Sequence, residues 1–134
     1  MEDRHLCKAK RTDNGEWVEG YLIVDEKDYS KYFIGYVLGT NEDGTPHDLD
    51  AAQVNPSTIC QCAAMPDKNK KLVFEHDIVW DSDERAFYEI IWNQEDMCWN
   101  VEDADGHKSE FEECYGSTIE VNGNRFDNPE LLEV

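Results

Sequence analysis

Basic residues and long apolar segments are both scarce in this chain of 134 residues. It contains 12 Lys and Arg against 31 Asp and Glu, which gives a formal net charge of −19. Binding to nucleic acid or to an anionic membrane by charge neutralisation requires clustered Lys and Arg, so neither partner is expected. No apolar run approaches the roughly 20 residues of a membrane span, and the N-terminal residues include no hydrophobic signal region. We therefore expect a cytoplasmic protein.

Motifs for nucleotide binding, hydrolysis and metal catalysis are also missing. The sequence has no Walker loop and no GxGxxG, GxSxG or HExxH pattern, and its four histidines share no ligand spacing. We expect no catalytic residue, no cofactor and no metal, and hence a protein that is not an enzyme.

The five cysteines fit neither a disulfide framework nor a complete zinc site. Cys60 and Cys62 form the only close pair, and no second pair follows. Positions i and i+2 share one face of a strand, which favours two small buried side chains. The alternative is a small metal-binding protein or enzyme that uses Cys60 and Cys62 with His76 or Cys114.

Apolar and aromatic residues are plentiful enough for a folded core, in spite of the acidic composition. They include four Trp, six Tyr and five Phe, whereas a disordered chain lacks the apolar surface that offsets its conformational entropy. The length fits a single domain, residues 1–134, with possible sub-halves 1–66 and 67–134.

Alternation of apolar and polar residues predicts a mainly β, β-rich α+β fold. We expect a small bent sheet or an SH3-like barrel in the C-terminal half, a β-rich N-terminal half, and a short helical turn that begins at Pro129. Asn122-Gly123 reads as a closing turn, and the Gly- and Pro-containing stretch Gly39–Asp50 as a loop. The main strand predictions are Trp17–Val24, Tyr32–Leu38, Thr58–Cys62, Leu72–Trp80, Ala86–Trp92 and Met97–Asp103.

Three segments in order resemble the phage-associated YopX protein family. They are KRTDNGEWVEGYLI (10–23), VNPSTICQC with DKNKKLVFEHDIV (54–79), and IEVNGNRFDNPELL (119–132). Their order and spacing match the family over nearly the whole chain, about residues 4–132. The resemblance implies a phage or prophage protein in a bacterial host with a β-rich fold, and it implies neither an enzymatic activity nor a defined site.

The sequence departs from the family pattern at positions where the family has glycine. It has Ala63-Ala64 in place of Thr-Gly, and Asn69 and His76 in place of Gly. Glycine in a turn usually supplies a positive φ angle. Asn69 can adopt that conformation at little cost and His76 less readily.

Aromatic residues in the C-terminal strands are the candidate interaction residues. In Ala86–Trp92, Phe87, Glu89 and Ile91 share one face, while Tyr88, Ile90 and Trp92 share the other. We favour a core role for the tryptophans, since aromatic rings fill small cores well. The alternative is an exposed patch with an acidic rim, made of Tyr88, Trp92, Trp99 and Trp80.

The charge excess without a catalytic motif favours a non-enzymatic protein-interaction or self-assembling module with an acidic surface. Its partner would be a basic protein or further copies of itself. A second hypothesis is a DNA-mimic inhibitor of a DNA-binding protein, which needs rows of carboxylates spaced like phosphates. The charge is weighted toward the C-terminal half: residues 1–67 hold 13 acids and 6 bases, and residues 68–134 hold 18 and 6.

Overall fold

The computed structural model describes residues 5–111 and 117–133, and they form a β-rich fold of antiparallel strands. The chain divides into two compact units, an N-terminal unit of His5–Gln61 and a C-terminal unit from Cys62 onward. Two short 3-10 turns, Pro56–Thr58 and Pro129–Leu132, accompany the strands. The described strands are β1 (Leu6–Lys10), β2 (Trp17–Val24), β3 (Tyr32–Thr40), β4 (Pro46–Val54), β5 (Cys60–Pro66), β6 (Leu72–Phe74), β7 (Asp77–Asp81), β8 (Ala86–Asn93), β9 (Cys98–Glu102), β10 (Lys108–Glu110) and β11 (Ile119–Asn124).

The N-terminal unit is a sheet in the order β4-β3-β2-β1, with β1 also paired to the first two residues of β5. Its inner face carries the buried residues Cys7, Ala9, Ile34 and Val54, which pack together as a core. The sheet curls at one end, because Arg11 forms an isolated bridge with Val54 in β4. Successive side chains of a strand point to opposite faces of the sheet. The residues that alternate with the core residues of this unit therefore lie on its outer face, away from the core.

The C-terminal unit is built on a sheet in the order β10-β9-β8-β7-β11. Val79, Ile90, Val101 and Ile119 form its buried core with Ala63, Val73 and Phe111. The β-rich prediction is confirmed. Two architectures were expected for this half, a bent sheet and an SH3-like barrel. The described residues form an open sheet and do not close into a barrel.

Three details of the predicted element boundaries are wrong. Much of the predicted loop Gly39–Asp50 is strand, since β4 begins at Pro46. The single strand Leu72–Trp80 is two strands, β6 and β7, separated by a tight turn at Glu75-His76. Asn122-Gly123 lies inside β11, where the register shifts at a bulge instead of ending the strand. The predicted turn at the C-terminus is confirmed as Pro129–Leu132.

Three non-glycine residues with positive φ lie in β5 and in the two turns that follow it. They are Ala64 (φ 59°), Lys70 (φ 65°) and His76 (φ 69°). The left-handed residue in the Asp67–Lys71 turn is thus Lys70 and not Asn69. His76 does adopt the left-handed conformation. Each of these side chains adds a steric cost that glycine avoids.

Lys70→Gly is expected to raise the free energy of unfolding by about 0.5–1 kcal/mol, because relief of the left-handed strain exceeds the extra chain entropy of glycine. Urea unfolding measured by circular dichroism tests this. Lys71→Gly removes the same charge from the same turn at a residue without positive φ, and it should destabilise the protein. If both variants were destabilised equally, the strain at Lys70 would be disproved.

In the part of the chain that the structure describes, no helix combines the length and the apolar character needed to cross a membrane.

Candidate interaction surface

The outer face of the N-terminal sheet exposes large apolar side chains from three neighbouring strands. Tyr21 and Ile23 lie in β2, Val37 in β3 and Leu49 in β4. Their exposed fractions are 47%, 48%, 49% and 65%. Cross-strand register brings Tyr21 next to Gly35, Gly35 next to Ala51, and Val37 next to Leu49. These side chains therefore form one continuous patch, called here the outer apolar face.

Gly35 forms the floor of a shallow groove in the outer apolar face. A Cβ atom built at Gly35 would lie 2.8 Å from Cδ1 of Ile23, so the Ile23 side chain leans over this glycine. The groove has a volume of about 500 Å³ and is lined by Tyr21, Ile23, Val37 and Leu49 among others. Because its lining is mostly apolar, water finds few hydrogen-bond partners in the groove. Replacement of that water by an apolar side chain of a partner would therefore be favourable.

Acidic and aromatic groups border this groove along β4. Asp50 accepts a hydrogen bond from the Tyr36 hydroxyl at 3.3 Å and another from the backbone N–H of Ala51 at 2.8 Å. The segment from Thr40 to Val54 holds Glu42, Asp43, Asp48 and Asp50 and no Lys or Arg. The β4 side of the groove is therefore negatively charged.

Cations lie on the opposite side of the same unit, on β1. The Nζ atoms of Lys8 and Lys10 lie 5.0 and 5.5 Å from the centroid of the Trp17 ring. Register pairs Lys10 with Trp17, which places these side chains on one face. Cation–π attraction holds the two ammonium groups at that ring. The charge of the N-terminal unit is thus divided, basic at β1 and acidic at β4.

The aromatic residues predicted as interaction candidates lie in the C-terminal unit, all of them half-buried. Tyr88 and Trp99 pack against its core. Trp92 and Trp99 form an edge-to-face pair with centroids 5.3 Å apart, and the indole N–H of Trp92 donates to Gln94. Trp80 pairs with Phe87 across β7 and β8. This pair is next to the Val79–Tyr88 pair, which faces the core, so Trp80 and Phe87 point to the opposite face. The structure therefore brings Trp92 and Trp99 together, with Trp80 on the other face of the sheet.

The residues of the metal hypothesis occupy separate environments. Cys60 and Cys62 are buried, as the strand interpretation predicted. The Sγ atom of Cys62 accepts from the backbone N–H of Ala64 at 3.3 Å. Nδ1 of His76 lies 2.8 Å from a carboxylate oxygen of the buried Glu89, which Arg125 also contacts at 3.3 Å. Cys114 lies outside the described residues.

Only one group of three or more potential metal ligands occurs in the described part of the chain, and it does not include these residues. It consists of Asp103, Asp105 and His107 in the β9–β10 turn. The carboxylate of Asp103 accepts backbone hydrogen bonds from Asp105 and His107. The bond from His107 is the main reason that the pKa of Asp103 is lowered. The hydrogen bonds from backbone donors in the turn thus explain the position and the lowered pKa of this carboxylate without a bound metal.

Sequence reasoning missed the outer apolar face, although a signal for it was present. In β4, Asp48, Leu49, Asp50 and Ala51 alternate polar and apolar. The acidic residues and Pro46 favoured a loop at that point. In addition, the exposed residues of this face are mainly aliphatic, whereas the interaction candidates predicted from the sequence are aromatic.

Comparison with protein families matches residues 8–133 to the YopX protein family. A comparison with curated proteins found no match. The family match includes β2, β5 and β11, which carry parts of the three resembling segments. Because the match spans nearly the whole chain, the protein belongs to the YopX family.

Proposed function

We propose that this protein is a non-enzymatic protein-interaction module that docks a partner on the outer apolar face. The observation that carries the proposal is the continuity of Tyr21, Ile23, Val37 and Leu49 across three strands, each 47% exposed or more. Soluble domains rarely leave large apolar side chains together on one surface unless something binds there. The outer apolar face surrounds a central groove, and it therefore has the apolar centre that is typical of protein interfaces.

The charge distribution supports a protein partner. Residues 5–61 carry 10 acids and 5 bases, a net charge of −5, and residues 1–4 and 62–134 carry the remaining −14. A strongly acidic chain repels nucleic acid and anionic lipid at long range and attracts basic proteins. Apolar contacts on the outer face would then provide affinity, and the charge would increase the association rate.

The double variant Ile23→Thr/Val37→Thr is expected to weaken partner binding about tenfold or more, since two apolar contacts worth roughly 1 kcal/mol each are lost. Both substitutions keep a β-branched side chain, so the strands should be retained. The measurement is low-salt capture from a bacterial lysate, quantified by mass spectrometry. A protein retained by the wild type is then purified and its affinity is measured directly.

The matched control is Leu22→Thr/Val24→Thr, which changes two exposed apolar residues of β2 on its other face. Leu22 and Val24 are each 40% exposed and pair with Ile34 and Tyr32 at the positions that alternate with Tyr21 and Ile23. The control should bind like the wild type. Sedimentation of the purified chain alone over a range of concentrations shows whether a second copy occupies the face. A monomer that captures no partner, or equal loss in both double variants, would contradict the proposed function.

A further inference from the structure

The outer edge of β4 offers backbone groups beside the outer apolar face. Strand β4 is the last strand of its sheet and pairs with β3. At its C-terminal end this edge is already used: Thr12 donates to the carbonyl of Gln53 at 3.0 Å, and Asn55 donates to the carbonyl of Lys10 at 2.9 Å. From Pro46 to Ala52, no described strand lies against it. A sheet edge of this kind can accept a further strand.

Alternation along β4 shows which backbone groups point outward. The carbonyl of Gln53 is bound from the outer side, and residues two apart in a strand present their N–H and C=O to the same side. Ala51 and Leu49 therefore also face outward. The outward N–H of Ala51 is bonded by the carboxylate of Asp50 at 2.8 Å. Asp50 thus occupies one of the donors that an added strand would use.

The side chains of β4 define the chemistry of such a strand. Leu49 and Ala51 are on the outer apolar face, whereas Asp48 and Asp50 alternate with them. An added strand would therefore place apolar side chains on the groove side and side chains that contact carboxylates on the other. Lys and Arg match the carboxylates by charge, and cross-strand pairs of opposite charge are stabilising.

The same carboxylates disfavour a second copy of this chain as the occupant. Antiparallel pairing of two β4 strands centred on Leu49 would set Asp48 of one copy against Asp50 of the other. Like charges directly opposite each other destabilise a strand pair. The charges select against self-pairing and for a basic partner.

We propose that the outer edge of β4 binds an extended basic segment of a partner protein, in which Lys or Arg alternates with apolar residues, by strand addition. The carboxylate of Asp50 leaves the N–H of Ala51 and pairs with a cation of the partner, while that N–H bonds the partner's backbone. The inference rests on the proposed function and specifies the partner's chemistry and its binding mode.

Fluorescence anisotropy with synthetic labelled peptides tests the inference on the intact chain. The alternating peptide K-V-K-V-K-V-K-V is expected to bind at least tenfold more tightly than K-K-K-K-V-V-V-V, which has the same composition. Strand addition uses the alternate amides along one peptide edge. N-methylation of one alternate set should therefore abolish binding, and methylation of the other set should leave it unchanged.

Two protein variants complete the test. Ala51→Pro removes an outward donor without removing a bond to β3, and at least a tenfold loss of affinity is expected. Asp48→Asn/Asp50→Asn should weaken binding several-fold and reduce its salt dependence. If Ala51→Pro does not fold, the methylated peptides, which leave the protein unaltered, decide the question.

Equal binding of the two unmethylated peptides, equal effects of both methylated sets, or unchanged affinity in a folded Ala51→Pro variant would overturn strand addition. Absence of any peptide binding would overturn it as well. These failures differ from a failure of the proposed function, because partner loss in Ile23→Thr/Val37→Thr would still show docking on the outer apolar face.

Discussion

Gly20→Ala is expected to lower the free energy of unfolding of the N-terminal unit by about 3 kcal/mol, at the upper end of the usual cost of overpacking. A Cβ atom at Gly20 would lie 2.2 Å from the carbonyl oxygen of Gly35 and 2.9 Å from Cγ2 of Ile34. The carbonyl belongs to the backbone of β3, which is held in register with β2 by the Tyr21–Gly35 pair. It cannot move away without disturbing that pairing, so the clash is not relieved cheaply.

Hydrogen exchange read by mass spectrometry at increasing urea concentration is the suitable measurement, because it reports residues 5–61 separately from the rest. Gly35→Ala is the matched control in the neighbouring strand. Its new Cβ atom meets the end of the Ile23 side chain, which can rotate away, and its effect should stay within about 1 kcal/mol. Similar protection in Gly20→Ala and the wild type would show that β2 and β3 are not as close as described.

Asp67→Ala is expected to destabilise the C-terminal unit by about 3 kcal/mol, because a buried carboxylate that accepts three backbone hydrogen bonds is lost. Asp67 is 4% exposed. One of its oxygens accepts from the backbone N–H groups of Asn69 and Lys71 at 2.8 and 2.9 Å. The other accepts from the N–H of Val121 in β11 at 3.0 Å. A single side chain thus orders the β5–β6 turn and connects it to a strand 54 residues away.

Urea unfolding followed by tryptophan fluorescence checks this, since Trp80, Trp92 and Trp99 all lie in the C-terminal unit. Asp67→Asn should cost less than Asp67→Ala: it keeps an oxygen for the turn but sets an amide donor against the N–H of Val121. Asp83→Ala removes the same charge from an exposed turn and should change stability by no more than about 0.5 kcal/mol. If Asp67→Ala and Asp83→Ala changed the free energy of unfolding equally, the hydrogen bond to β11 would contribute nothing to stability.

Sequence patterns predicted most strands correctly where apolar and polar residues alternate in a buried sheet. They failed at β4, because Pro and Asp are typical of loops and are also tolerated on an edge strand, whose outer groups face solvent. They failed again between β6 and β7. The tight turn there needs a left-handed residue, and His76 is a much weaker signal for such a residue than the Gly that the family has at this position.

Candidate sites were harder to predict than strands. The cysteines at i and i+2 were correctly expected to be buried, since period-2 alternation puts them on one face. The aromatic candidates Tyr88, Trp92, Trp99 and Trp80 are half-buried residues of the C-terminal sheet, and their role in binding stays a prediction. No sequence motif marks the groove on the N-terminal sheet, because it is formed by side chains from three strands with a glycine between them.

By itself, the sequence determined that the chain is acidic, rich in strands and poor in clustered cations, because these properties depend on composition and local alternation. Alternation divides each strand into two faces, but it does not say which of two apolar faces is covered. In β2, both Tyr21 and Ile23 on one side and Leu22 and Val24 on the other are apolar. Only pairing between distant strands, which brings β4 beside β3, decided that Tyr21, Ile23, Val37 and Leu49 form one exposed surface.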